Sequence, residues 1–170
     1  MHWKLKAKIQ NTVAHLPDSA SYAMYYWIQR HFGGLRNFNP TIGLMAGIET
    51  WKLIQSQNQS PVGKTFLEVG TGRVPLVPLA YWLMGAESII TLDKNLYLKE
   101  DLIADSIRYM SDNEDEIRNL FGSLMDVDRF TFLLDYVKQP NFSAIELLEL
   151  CQINYISPGD ASNTHLPDKI

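Results

Sequence analysis

Apolar and polar positions change their period along this chain, and the changes mark its elements. Over 2–15, Trp3, Leu5, Ile9 and Val13 recur near one side while Lys4, Lys6 and Lys8 fall on the others, which predicts a short helix. Leu16-Pro17-Asp18 reads as a turn and Ser19 as an N-cap. The helix that follows runs from Ala20 through Tyr22, Tyr25, Tyr26 and Trp27 to Arg30 and stops at Gly33-Gly34. A third helix is predicted over 41–57, where Ile42, Met45, Ile48, Leu53 and Ile54 keep helical spacing. The polar run 55–61 reads as a linker.

Past the linker the pattern becomes that of buried strands. Residues 65–70 form a short apolar run, 74–84 an apolar helix, and 88–93 a second apolar strand. Pro75 and Pro78 are tolerable only in or near the first turn of that helix, and Gly85 ends it. From 96 to 150 the chain reads as helical and irregular. Leu98 to Met110 is periodic, Ser111 to Glu116 is an acidic helix start, and 130–137 and 144–150 are short helices on either side of Pro140. Residues 153–156 form a third strand. A crossover of this length contains inserted structure, which in open sheets often lies over the ligand crevice. The expected division is a helical N-terminal extension over 1–62 and an α/β part over 63–170, with a helical insert at about 96–150.

The chemistry concentrates where strands end. The first closes in Glu68-Val69-Gly70-Thr71-Gly72 and the second in Asp93-Lys94. Strand, glycine turn, helix, strand and acid is the first half of a nucleotide-binding α/β unit, in which the second acid accepts hydrogen bonds from ribose hydroxyls. A dinucleotide fingerprint would need its third glycine at position 75, which is Pro75, and an acid beside the phosphates would repel them. Glu68 suits a ligand with positive charge at that spot, such as an ammonium or a sulfonium. Gly63-Lys64-Thr65 has the tail of a phosphate-binding loop, but Asn58 stands where its first glycine belongs and the lysine precedes the strand.

The pattern E-x-G-x-G at 68–72 resembles the first motif of the class I S-adenosylmethionine-dependent methyltransferases, and Asp93 resembles their second acidic motif. Asp160-Ala161, followed by Leu166-Pro167-Asp168, is similar to the third, in which an acid after the third strand meets the adenine amino group. The resemblance covers roughly 63–170. It implies a Rossmann-like sheet, S-adenosylmethionine as cofactor, and methyl transfer to a small-molecule or glycan-type acceptor. It further implies Glu68 near the methionine ammonium, Gly70, Thr71 and Gly72 at the turn, Asp93 and Lys94 at the ribose, and Asp160 and Ala161 at the adenine. Leu16-Pro17, Tyr25-Tyr26 and Phe32-Gly33-Gly34-Leu35 look like the leader of bacterial enzymes that methylate small molecules or surface glycans. Three departures stand out. Val74 replaces the third glycine of the motif, the span from Asp93 to Asp160 is longer than usual, and only about three of some seven parallel strands are visible before Ile170. The expectation is therefore an N-terminal fragment that leaves the sheet with a bare apolar edge, and it includes no catalytic residue. The alternatives are a nicotinamide-dependent oxidoreductase, with Asp93 as its ribose acid, and a non-catalytic module that pairs its sheet edge with another chain.

Composition narrows the field further. Hydrophobic residues make up 46% and charged residues 20% of the 170, which is globular and neither disordered nor fibrous. A net charge of −4 argues against nucleic acid as partner. One cysteine, Cys151, can form no internal disulfide and reads as a buried small side chain, which fits a reducing, cytoplasmic compartment. No apolar run is long enough to span a bilayer, and Ala7 to Val13 lacks the apolar core of a secretion signal. Residues 2–15 could touch an anionic membrane surface, but three lysines attract weakly and a solvated lead-in helix is the better reading. The acidic run 111–116 lacks the glycine and terminal glutamate of a calcium loop, so no metal is expected there. Of the four histidines only His165 falls near the expected crevice, and a lone loop histidine is more often solvated than catalytic.

Overall fold

A computed structural model describes residues 15, 17–36, 38–164 and 166. Apart from His15, which lies in a turn, the helix expected over 2–15 falls outside the described residues, as do His165 and Pro167-Asp168. The chain divides after Phe38 into two compact units. The described part of the first is helix α1 (Asp18–Phe32) and its exit turn. This helix starts one residue before the expected cap, with Pro17 in the capping position and its carbonyl accepting from the Ser21 amide at 2.8 Å. The exit is held by Arg30, whose Nη1 donates to the Leu35 carbonyl at 3.0 Å. Trp27 packs on His31 and Phe32 of the same helix at 4.8 and 5.7 Å between ring centres.

The second unit is α/β. Its described elements are α2 (Thr41–Ser56), β1 (Thr65–Val69), α3 (Leu76–Leu83), β2 (Ser88–Leu92), α4 (Glu100–Asp112), α5 (Glu114–Phe121), α6 (Val127–Tyr136), α7 (Ala144–Leu150) and β3 (Ile153–Ile156), with one 3₁₀ turn at Gly122–Leu124. The three strands form one parallel sheet in the order β1-β2-β3. That arrangement is consistent with a Rossmann-like fold.

Helix α3 is buried all round, as its unbroken apolar sequence requires. Pro75 occupies its N-cap and Pro78 its first turn, where the missing N–H groups are no loss. Helix α2 packs on α3 at backbone distance. A Cβ at Gly47 would lie 2.6 Å from the Ala80 Cβ, so only glycine permits this approach. Trp51 of α2, Phe66 of β1 and Tyr81 of α3 then stack, with Phe66 5.6 Å from Trp51 and 4.4 Å from Tyr81. Such pairs add about 0.5–1.5 kcal/mol each beyond the area they bury. The helix over 41–56 thus belongs with the sheet.

Between β2 and β3 lie four helices, which close the core over α3. Fully buried Leu102, Ile103, Ile107 and Met110 of α4 join Ile117 of α5 and Phe130 and Leu133 of α6. Helix α4 runs two residues later than its apolar period suggests, because Glu100 and Asp101 take the first turn, where the helix dipole favours acids. Helix α6 begins three residues earlier than expected because Asp126 caps it, accepting from the Asp128 and Arg129 amides at 3.1 Å. The acidic run at 111–116 is spent on helix structure. Glu114 pairs with Arg118 at 2.7 Å, and Glu116 accepts from Tyr109 Oη at 3.1 Å.

Strand β1 alternates in burial. Phe66 and Glu68 face the helices, whereas Leu67 and Val69 are 48% and 62% exposed on the other face. A parallel sheet covered on both faces would bury both positions. Among the described residues nothing pairs with the outer side of β1.

Candidate functional site

The carboxyl ends of the three strands converge on one crevice. Val69, Leu92 and Ile156 are in register across the sheet, so the segments that leave them meet at the same level. From β1 the chain turns through Gly70 and Gly72, whose φ values of +91° and +74° lie in the left-handed region that suits glycine. A Cβ at either would meet nothing within 4 Å, so conformation, not crowding, selects glycine at both. From β2 the chain passes directly into Asp93, which is 5% exposed. From β3 it passes through Ser157-Pro158 to Gly159, whose amide donates to the Asp93 carbonyl at 2.8 Å.

Asp93 ties these three exits together. Its Oδ2 accepts from the Gly72 amide at 2.9 Å and from the Tyr155 hydroxyl at 3.3 Å. The same Tyr155 hydroxyl faces the Asn95 carbonyl at 3.2 Å and accepts from the Tyr97 amide at 3.2 Å. The carboxylate thereby fixes the glycine turn, and the tyrosine fixes the loop that follows Asp93.

One residue below the strand ends lies a polar row. Glu68, Thr91 and Tyr155 are in register on three adjacent strands. Thr91 is fully buried and donates from Oγ1 to Glu68 Oε2 at 3.0 Å. It is also hydrogen-bonded to the Thr71 hydroxyl. Burial pushes the Glu68 carboxyl above its ordinary value, the hydroxyls of Thr91 and Thr71 draw it part of the way back, and the Asp93 charge adds to the rise. Tyr81 of α3, also pushed up by burial, feels the Glu68 charge.

Asp160 is placed differently. It is exposed, and its Oδ1 accepts from the Ser162 hydroxyl at 2.7 Å and the Ser162 amide at 2.9 Å. The Ser162 hydroxyl, then its amide, holds this carboxyl below its usual range, and the Lys94 charge adds to the effect. Asp160 is thus a turn-forming residue as well as a cavity wall.

A cavity of about 560 Å³ opens at this end of the sheet, lined in part by Gly70, Asp93, Lys94, Tyr97, Asp160 and Ala161. Of the residues singled out in the sequence it brings together Gly70, Asp93, Lys94, Asp160 and Ala161. Glu68, Thr71 and Gly72 do not line it; Thr71 and Glu68 join through Thr91, and Gly72 through Asp93. Tyr97, Thr91 and Tyr155 were not foreseen. The one signal for Thr91 and Tyr155 is a polar group in an otherwise apolar strand, and only the register shows what each meets. A second cavity of about 490 Å³ lies toward the amino ends of β2 and β3, beside Ser88, Ile145 and Gln152, away from the acids. Ligands of open parallel sheets bind at the carboxyl ends, which favours the first.

Among the described residues no cluster of three or more histidine, cysteine or acidic side chains could hold a metal ion, and no helix is long and apolar enough to cross a membrane. Cys151 is fully buried and its thiol is pushed up to about 12 by burial, so it is no nucleophile. No protein-family model, curated protein or solved structure matches this chain.

Proposed function

We propose that the crevice binds S-adenosylmethionine and that the chain serves methyl transfer to a small-molecule or glycan-type acceptor. One observation carries this reading. An acid before a left-handed glycine turn, a second acid closing that turn, and a third acid after β3 all belong to the carboxyl ends of three parallel strands. The residues fit such a ligand by charge. Glu68 is an anion for an ammonium or sulfonium, and Asp93, Lys94, Asp160 and Ala161 line the cavity where a ribose and an adenine would lie. When bound, the cofactor supplies a methyl carbon already activated by its sulfonium, so the chain has to orient it and exclude water. Glu68, beneath the cavity and not on its wall, supplies negative charge toward the cationic end, the turn admits backbone close to the ligand, and Asp93 fixes the turn.

The nicotinamide alternative fits less well. A pyrophosphate needs free amides at the turn and helix start. Here the Gly72 amide is taken by Asp93, Leu76 donates to the Val74 carbonyl at 2.9 Å, and Pro75 and Pro78 have no N–H. Calorimetric titration of S-adenosylmethionine, S-adenosylhomocysteine and NAD, repeated with Glu68→Ala and Asp93→Asn, tests the reading. Binding of both sulfur nucleotides, lost in both variants and absent for NAD, supports it. NAD binding, or no binding at all, overturns it.

The exposure of Leu67 and Val69 favours a second reading, a module that accepts a partner's strand along β1. It predicts association in solution that Val69→Lys abolishes, in a chain that binds no sulfur nucleotide.

A further inference from the structure

We infer that Thr91 is the positioning residue of this site, a relay that holds the Glu68 carboxylate aimed at a ligand cation and joins it to the glycine turn through Thr71. The inference rests on the S-adenosylmethionine reading for the identity of the cation and on geometry for the relay. Thr91 is 0% exposed in the middle of an apolar strand, where a hydroxyl must find partners or be costly. Its partners are Glu68 Oε2 at 3.0 Å on β1 and the Thr71 hydroxyl between the two turn glycines. A hydroxyl has one proton to give. When Thr91 gives it to Glu68, its oxygen accepts from Thr71, and the proton direction runs from the turn to the acid.

That direction favours the ionised Glu68, since a hydrogen bond is stronger to a carboxylate oxygen than to a neutral carboxyl. The relay therefore opposes the burial that disfavours the charge. The titratable groups that face Glu68 are Tyr81 from α3 and Asp93 from the end of β2, and neither supplies a positive charge. The hydroxyls of Thr91 and Thr71 are then what offsets part of the cost of charging the acid. They also couple the two halves of the site. A turn that moves takes Thr71 with it and weakens the acid.

Thr91→Val keeps the shape and removes the donor, and Thr91→Ser restores it. The first readout needs no ligand: ¹³C NMR titration of the Glu68 carboxyl in the chain alone. It should move upward in Thr91→Val and return toward the natural position in Thr91→Ser. The second is calorimetric affinity for S-adenosylhomocysteine and S-adenosylmethionine against pH. Thr91→Val should weaken binding about tenfold or more near neutrality, as losing a hydrogen bond to a charged group does, and less at higher pH. Thr71→Ala, at a half-buried turn position, breaks the relay from its other end and should raise the Glu68 titration by a smaller amount, which keeps the test decisive if Thr91→Val does not fold. An unmoved Glu68 titration in the valine and alanine variants overturns the relay, as does failure of the serine variant to restore it. A moved titration in a chain that binds neither sulfur nucleotide supports the relay and overturns the cofactor.

Discussion

Arg129 is the side chain whose loss should damage the α/β unit most for its exposure. It rises from the first turn of α6 and donates from Nη1 to two main-chain carbonyls, Trp82 and Ala86, both at 2.7 Å. These are carbonyls of the α3 C-terminus and of the turn into β2; the Trp82 carbonyl also accepts from the Gly85 amide at 3.0 Å, so Arg129 is a second donor there. The guanidinium also lies 5.3 Å from the Trp82 ring centre and 3.6 Å from Asp126 Oδ2. A hydrogen bond from a charged donor contributes about 1.5–3 kcal/mol. With 30% of the side chain exposed, water recovers part of that when the arginine is lost. Arg129→Met, which keeps the apolar stem, should therefore cost about 2–4 kcal/mol for the pair of bonds. Arg129→Lys, a point charge that reaches one carbonyl well, should cost about half as much. Asp126→Asn keeps the cap and loses only a half-exposed ion pair, so it should cost under about 1 kcal/mol.

Urea unfolding followed by tryptophan fluorescence reads these differences as midpoint shifts multiplied by a common slope. In thermal melts the methionine variant should fall by roughly 5–15 °C for a chain of this size. The reasoning fails if Arg129→Met stays within about 0.5 kcal/mol of the natural chain, or if Asp126→Asn costs as much as Arg129→Met. The first result would mean that water and the Gly85 amide satisfy the two carbonyls, and the second that the ion pair matters more than the main-chain bonds.

Three further outcomes are expected. Glu68 titrates above its ordinary value in the folded chain, so its contribution to stability is favourable at low pH and is lost as pH rises through the folded value. Glu68→Gln should accordingly stabilise the chain near pH 7, with the gain vanishing by about pH 4, while sulfur-nucleotide binding is lost in calorimetry. Gly47→Ala places a Cβ 2.6 Å from that of Ala80 and should cost about 1–3 kcal/mol in denaturant titration. Ala80→Gly in the same chain should recover part of it, and a simply additive double variant would argue that the helices do not meet there. Cys151, fully buried and with its thiol held up to about 12, should react with a thiol reagent only in denaturant, and fast reaction in the native chain would contradict its burial.

What the sequence made legible is what short-range pattern controls. The three strands, the proline-opened α3 and helices such as Thr41–Ser56 and Ala144–Leu150 follow from apolar period, turn residues and helix breakers, and the residues at the strand ends follow from where those strands stop. Helix starts were less legible, because a single cap such as Asp126 or a pair such as Glu100 and Asp101 outweighs the apolar period. Contacts that join distant segments were not legible at all. Arg129 meets carbonyls more than forty positions away, and Thr91 meets Glu68 only because the sheet register sets them side by side. Gly47 looked like any helical glycine until α3 was seen against it. Asp160 after Pro158-Gly159 reads either as an adenine acid or as a plain turn residue, and its bonds to Ser162 fit the turn.

The three acids of the crevice carry one formal charge each but stand in three environments. Glu68 lies beneath the strand ends, where burial works against its charge and two hydroxyls work for it. Asp93 is nearly buried and has one oxygen committed to the turn amide and to Tyr155. Asp160 is open to water and held in its charged form by Ser162. A ligand that laid anionic groups along this line would meet repulsion at each acid, with Lys94 the one cation among the described residues of the cavity wall, and find the turn amide already occupied. A ligand with a cation at one end and hydroxyl or amino donors along its length would relieve the strained charge at Glu68 and meet acceptors farther out. On the proposed reading, charge order along the strand ends, more than the glycine turn by itself, would separate a sulfonium nucleotide from a dinucleotide. Beside the three acids the apolar strand Ser88-Ile89-Ile90-Thr91-Leu92 carries one buried hydroxyl, and it donates to Glu68.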